Sequence, residues 1–222
     1  MRRRRAGRSY HRRVDRGLIF PDLSFETELW ANGRRHIAGI DEAGRGALAG
    51  PVAAAALILP QHIDLKAKLH GVRDSKQMTH NQREYWAKIL RTTALVWSVG
   101  FASHVEIDTL GILPATRLAA RRALESLAIQ PDHLLLDYLK LADVDLPQTS
   151  LVKGDCRSLS IAGASVLAKT ARDAIMRELD GQYPGYGFAA HKGYGTAAHL
   201  GALARLGPCP MHRLSFAPMR AR

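Results

Sequence analysis

No stretch of this chain reaches the ~18 consecutive apolar residues of a membrane-spanning helix. The arginines at the N-terminus have no apolar segment behind them, so a secretory leader is not expected. Cysteine is scarce: Cys156 and Cys209 are the two present, with neither metal-ligand spacing nor the numbers for a disulfide framework. A reducing cytoplasm is the compartment these absences point to. Internal repeats are missing too, so a repeat architecture is not expected. Acidic residues are outnumbered, 20 against 32 lysines and arginines.

What is present suits a globular domain. The 222 residues are 46% apolar and 23% charged, enough for one domain with a proper core, or at most two small ones. A net charge of +12 and a pI near 10.2 point to a polyanionic partner such as nucleic acid. The charge is uneven. Residues 1–16, MRRRRAGRSYHRRVDR, hold eight arginines against one aspartate, which leaves the rest of the chain only mildly basic. Residues 1–20 therefore read as a basic arm, either disordered and simply solvated or gripping phosphates at low salt. Residues 21–222 read as a single domain, expected as a monomer.

Along that domain, FPDLSFETELWANGRR reads as a short helix, followed by a strand over 36–40. VAAAALILP is an apolar run of strand length stopped by Pro60, and LVWSVGFAS is a third strand. Thr79 with Gln82 three residues later is a capping-box signature for a helix. Pro114 suits a first helical position, and Ala120, Ala123, Leu124 and Leu127 line one face of the helix it opens. HLLLDYL and SLVKGD read as short strands. The spacing of Ile161, Ala164, Ala168, Ala171 and Ile175 predicts a long helix over 158–179, and a last helix over about 196–206 stops at Gly207-Pro208. Strands interleaved with helices predict an α/β domain with a helical C-terminal portion.

Three acids end or follow apolar strands: Asp41, Asp137 and Asp155, with Glu42 beside the first. Removing a carboxylate from water costs about several kcal/mol without a partner. Acids gathered at neighbouring strand ends would also raise one another's pKa. A divalent cation, Mg²⁺ or Mn²⁺, resolves that conflict with hard oxygen ligands and would suit phosphodiester chemistry. The bland alternative is a set of ordinary turn acids. Asp41 and Glu42 pose a further difficulty, since neighbours on a strand face opposite sides. Sharing a site is expected only if the strand ends or bulges there.

The segment AGIDEAGRGALAGP, which holds that pair, resembles the signature of the type 2 ribonucleases H, specifically ribonuclease HII. The resemblance continues in order through RDSK (73–76), Asp137 after its strand, KGD (153–155), SIAGASVLAKTARD (160–173), HKGYGTAAH (191–199) and HRLSF (212–216). It implies a ribonuclease H-like fold, a mixed β-sheet flanked by helices with a helical C-terminal portion. It also implies a metal-dependent endonuclease that cleaves the RNA strand of RNA–DNA hybrids and nicks DNA at embedded ribonucleotides. The family's metal-binding carboxylates match Asp41, Glu42, Asp137 and Asp155. Its glycine-arginine-glycine element, which senses the 2′-hydroxyl through the backbone, matches Gly44, Arg45 and Gly46. Its tyrosine, packed on the sugar next to the junction, matches Tyr194. Two positions depart from the pattern: Tyr138 stands where members commonly have glycine after the third acid, and Gly163 lies inside a predicted helix.

The remaining candidates are weaker. Lys76 and Lys153 could meet phosphates with help from the Ser75 hydroxyl, or be exposed loop polarity. Lys169 and Arg172 lie off the apolar stripe of the long helix, so substrate contact and a solvated face are both open, and Asp173 reads as an ion-pair partner. His191 and His199 suit loop or packing roles, and Cys156 has no activating neighbour in sequence. Trp30, Trp86 and Trp97 are expected in the core. A non-catalytic RNA-binding protein is the rival from another class, and it leaves the four acids unexplained. A transposase-like nuclease would leave the glycine-arginine-glycine and tyrosine motifs unexplained. A type 3 ribonuclease H would need a large N-terminal domain, and roughly 35 residues precede the first strand.

Overall fold

The computed structural model describes residues 20–221, so the arginine-rich arm, apart from Phe20, lies outside the described residues. The chain enters through α1 (Ser24–Ala31), β1 (Ile37–Ala43) and β2 (Val52–Ile58). A short α2 (Leu65–Lys68), a 3-10 turn at Ser75–Gln77, α3 (His80–Thr93) and β3 (Val96–Ala102) follow. Next come α4 (His104–Leu110), α5 (Ile112–Glu125), β4 (His133–Asp137), β5 (Gln148–Leu151) and a 3-10 turn at Gly154–Cys156. The long α6 (Leu159–Gln182), α7 (Phe188–His191) and α8 (Ala197–Leu206) complete the helices.

The strands form one mixed sheet in the order β3-β2-β1-β4-β5. β1 pairs antiparallel with β2 and β2 with β3, while β1–β4 and β4–β5 are parallel. Every residue of β2 is buried because helices cover both faces. Val52, Ala54, Ala56 and Ile58 face α5 together with Ala38 and Ile40 of β1. Ala55 and Leu57 face α6 and α3. Small residues let those helices come close. A Cβ on Gly39 would lie 2.2 Å from the carbonyl carbon of Ser160, so α6 begins directly on the β1 backbone. The same proximity explains Gly163, which costs the helix about 1 kcal/mol relative to alanine: a Cβ there would come within 2.4 Å of Leu57 Cδ2. No helix among the described residues is long and apolar enough to cross a membrane.

Several expectations are met and a few corrected. Thr79 and Gln82 form the reciprocal capping box at the start of α3. Helix α5 starts at Ile112, not Pro114, and the proline is still tolerated because first-turn N–H groups have no helical partner. Helix α4 was not expected; its seven residues are too few to show a period, although Ser103 and Glu106 cap it reciprocally. Trp97 is 36% exposed rather than core, since β3 is an edge strand, and the Arg91 guanidinium covers it at 5.2 Å from the ring centroid. β1 does not stop before its acids: Asp41 and Glu42 are inside it, in unbroken register with Ala55 and Ala54.

Candidate active site

The adjacency of Asp41 and Glu42 is resolved at the sheet, without a bulge. On its β4 side, β1 is paired only up to Ile40↔Leu136. β4 then ends at Asp137, so the last residues of β1 project past their parallel neighbour. Alternation puts Asp41 on the α6 face and Glu42 on the α5 face. From opposite faces both can lean over the end of β4, and the charge of Asp137 bears on each. The site straddles a sheet edge rather than occupying one face.

Asp155 joins from the neighbouring parallel strand. The loop after β5 enters the 3-10 turn Gly154–Cys156, whose Gly154 N–H donates to Asp137 Oδ1 at 2.7 Å. Asp155 is buried and feels both Asp74 and Asp137. The four carboxylates expected at the site are therefore brought together. Asp74, which was not among them, makes a fifth: it is 9% exposed, caps the turn at Ser75–Gln77, and lies with Asp155 and Cys156 inside a 4.8 Å group. The acid in RDSK was its only signal in the sequence.

The electrostatics are one-sided. Burial, then the Glu42 charge, pushes Asp41 well above the ordinary carboxylate range, against a hydrogen bond from Ser165. Burial raises Glu42 and Asp155 as well. The counter-charges are peripheral: Arg45 meets Glu42 Oε1 at 3.1 Å and Lys76 meets Asp155 Oδ2 at 3.6 Å, both from exposed side chains. Burial alone would lower the Lys76 ammonium, but Asp74, Asp41, Asp155 and Asp137 together hold it above its usual value. The Ser75 hydroxyl is turned inward, 2.9 Å from Ser165 Oγ. With Ser165 donating to Asp41, Ser75 donates to Ser165. The Cys156 thiol is pushed up to about 11 by burial and by Asp155, so it is inert.

Asp41 Oδ2 is buried with no hydrogen-bond partner. A nearly inaccessible carboxylate oxygen without a donor is unfavourable in a bare protein. Hard oxygen donors on Asp41, Glu42, Asp137 and Asp155 match what Mg²⁺ or Mn²⁺ takes. The residues present fit such an ion.

Beside the acids, residues 44–51 run between two C-terminal segments. Leu48 N–H donates to Gly193 O at 2.7 Å, Gly50 N–H to Met211 O at 2.9 Å, and Ala47 bridges Tyr194. The bridge sets the loop that carries Gly44, Arg45 and Gly46 beside the Tyr194 segment. Gly44 has φ 94°, and a Cβ there would sit 1.9 Å from Arg172 Nε. Gly46 is exposed, and a Cβ on it would meet nothing within 4 Å. No packing among the described residues demands glycine there.

Two fully buried arginines brace this loop. Arg213 donates to the carbonyls of Gly50, Arg45 and Gly44 at 3.0, 2.9 and 2.8 Å. Arg172 donates to Pro51, Lys192 and Ala49 carbonyls at 2.8, 2.9 and 3.1 Å. Arg172 is thus neither on a solvated face nor open to substrate, because β-loop carbonyls close around it. It also lies 5.4 Å from the Tyr194 ring centroid, with Lys169 at 5.6 Å. Asp173 is an ion-pair partner as expected, buried between Lys169 at 2.6 Å and Arg83 at 3.4 Å.

The histidines pack behind Tyr194. His212 Nδ1 accepts from Cys209 N–H at 2.9 Å, so its Nε2 carries the proton and donates to His199 Nε2 at 3.0 Å. His199 Nδ1 is then left to donate to Tyr194 O at 3.0 Å. Burial pushes His199 down to about 4, so this relay is neutral at ordinary pH.

Comparison with known proteins identifies the family. The ribonuclease HII family model matches residues 38–219. The chain is 54% identical over 203 residues to ribonuclease HII of Synechococcus sp. (strain JA-3-3Ab), covering 91% of each. It is 53% identical over 198 residues to ribonuclease HII of Syntrophotalea carbinolica, covering 89% of this chain and 93% of that one. Among solved structures it resembles ribonuclease H2 from Pyrococcus horikoshii OT3, with a TM-score of 0.69, 26% identity, and coverage of 84% and 96%.

Proposed function

The chain belongs to the ribonuclease HII family and is a hydrolytic endonuclease of the ribonuclease H type, and from that premise we propose that it cleaves the RNA strand of RNA–DNA hybrids and nicks DNA 5′ of embedded ribonucleotides. The observation that carries this reading is the convergence of four carboxylates, one with an unpartnered buried oxygen, on a loop that offers backbone to a ligand.

Asp41, Glu42, Asp137 and Asp155 would hold divalent metal, Mg²⁺ or Mn²⁺, which supplies charge neutralisation at the scissile phosphate and lowers the pKa of the attacking water. The chain's own residues account for the rest. Gly154 N–H fixes the Asp137 carboxylate, and the Ser75–Ser165 pair orients Asp41. Lys76 is positioned at the margin to meet a phosphate oxygen. Arg213 takes the carbonyls of Gly44 and Arg45. Because a trans peptide points its N–H opposite to its carbonyl, the N–H groups of Arg45 and Gly46 are directed the other way, outward. Those donors suit a 2′-hydroxyl, the group that distinguishes RNA from DNA. With no side chain on Gly46, a sugar can approach the main chain closely. Tyr194, with the Lys169 and Arg172 cations of α6 within 5.6 Å and 5.4 Å of its ring centroid, would present its ring to the sugar on the other side of the junction.

In the reaction the water oxygen bonds to phosphorus and the bond to the 3′ oxygen breaks. A proton goes to the departing oxygen, leaving 3′-hydroxyl and 5′-phosphate ends. The test compares duplexes carrying none, one and many ribonucleotides, each with and without Mg²⁺ or Mn²⁺. Cutting confined to ribonucleotide-containing strands is expected, and cutting of the all-DNA duplex would overturn the selectivity.

A further inference from the structure

Three non-glycine residues among those described have left-handed backbone: Tyr138 (φ 54°), Lys153 (φ 55°) and Lys192 (φ 54°). All three adjoin the site, one residue after Asp137, two before Asp155 and two before Tyr194. Tyr138 is the most unfavourable of them. Leu139 N–H donates back to Asp137 O at 2.6 Å, making a three-residue turn with positive φ at its centre, the rarer and more strained form. A bulky aromatic there is a true outlier. Glycine would adopt the conformation freely.

The fold gives nothing back for that strain. Tyr138 is 75% exposed, so its ring buries little apolar surface inside the chain. Its backbone is fixed, since Tyr138 N–H donates to Leu151 O at 2.9 Å, continuing the parallel ladder one step beyond Asp137. That register sets Tyr138 beside Val152, itself 62% exposed, and Lys153. Lys140 is also exposed, and Lys76 stands on the other side of the acids. The C-terminal ends of β4 and β5 thus display an exposed aromatic residue, one position after Asp137, on a segment that also carries the exposed Lys140 and Lys153. Strain kept next to a site without internal compensation points to an external ligand.

We propose that Tyr138 is a substrate-contact residue, its exposed ring packing against a sugar of the nucleic-acid duplex where the backbone crosses the ends of β4 and β5. This rests on the hybrid-cleaving function proposed above. The bases of a duplex are stacked on one another, whereas the wide, shallow minor groove of an A-like helix displays its sugars. An aromatic face with flanking ammonium groups suits a sugar between two phosphates.

The test measures binding of a fluorescent RNA–DNA hybrid by anisotropy in EDTA, alongside thermal melting and cleavage, for wild type, Tyr138→Gly, Tyr138→Ala and Tyr138→Phe. Tyr138→Gly is expected to melt about 2–4 °C higher yet bind the hybrid roughly 5–10-fold more weakly, an opposition that a purely structural tyrosine cannot produce. Tyr138→Ala should weaken binding comparably, and Tyr138→Phe should restore it, since the ring is what is used. If Tyr138→Gly binds as tightly as wild type, the inference falls while the proposed function stands. If wild type fails to cut the hybrid but Tyr138→Gly still loses affinity, the function falls and the substrate contact stands.

Discussion

The two halves of the site handle charge in opposite ways. The carboxylate half gathers Asp41, Glu42, Asp74, Asp137 and Asp155 around strand ends and neutralises them incompletely, with Arg45 and Lys76 reaching in from solvent. The loop half buries two cations, Arg172 and Arg213, and satisfies them with six main-chain carbonyls. Carbonyl dipoles suffice for a delocalised guanidinium, whose planar fork can engage several at once. The arrangement fixes backbone, so the loop is rigid before any ligand arrives. The acids obtain no equivalent cradle. Their repulsion persists in the folded chain, and a divalent cation would relieve it.

Breaking the two halves should therefore give opposite signatures. Asp41→Asn is expected to reduce cleavage at least ~10³-fold, about 4 kcal/mol of barrier, while leaving thermal stability unchanged or higher because a buried, repelled charge is gone. Wild-type cleavage by this variant in Mg²⁺ would refute the assignment of Asp41. Arg213→Ala should do the reverse. It removes a donor from three loop carbonyls and opens a cavity, about 3–4 kcal/mol, or roughly a 10 °C fall in melting temperature for a chain of this size. Arg213→Lys should recover little, since one ammonium cannot reproduce the fork. A variant melting with wild type would mean that the loop does not need its brace.

This contrast also marks what sequence could and could not disclose. The acids were legible because ionised groups beside LLL or IAGI are conspicuous against apolar runs. The sheet was legible because β2 and β4 are continuous apolar stretches. The two buried arginines were not, since their carbonyl partners lie 20 to 169 positions away and Arg172 falls on the polar side of the α6 pattern. Convergence of Asp41 and Glu42 depends on where a different strand, β4, stops. Ser165 and Asp74 sat inside quoted motifs, yet their roles come from a fold that turns Ser165 toward β1 and Asp74 toward Asp155. The departure at Tyr138 was visible, but its φ was not.

The unrelieved repulsion should appear as a pH dependence when metal is removed. Asp41, Glu42 and Asp155 all hold protons more tightly folded than unfolded. From the ordinary carboxylate range upward, the unfolded chain gives up these protons first, so stability in EDTA falls as pH rises through the raised folded values. Saturating Mg²⁺ or Mn²⁺ at ~100 times its Kd should restore about 2.7 kcal/mol and flatten the slope. Melting curves from pH 4 to 8 with and without metal check this, and Asp41→Asn should blunt both the slope and the metal response. A slope rising in EDTA would mean that other groups dominate.

Ser165 offers the mildest way to sharpen the comparison, because it is the internal donor that works on Asp41 from within the fold. Ser165→Ala removes the hydrogen bond that opposes the rise of Asp41 and leaves the Ser75 hydroxyl without its 2.9 Å partner. The stability change should be small, about 1 kcal/mol, since an aliphatic replacement fits the buried helix position. Asp41 is driven further upward, so the larger consequence is on proton competition: the metal requirement for cleavage should increase several-fold at acidic pH and converge toward wild type at alkaline pH. Titrating Mg²⁺ at both pH values separates this from a general loss of folding, which would weaken cleavage equally at each. An unchanged metal titration at low pH would show that Asp41 is set by burial and its neighbouring acids alone.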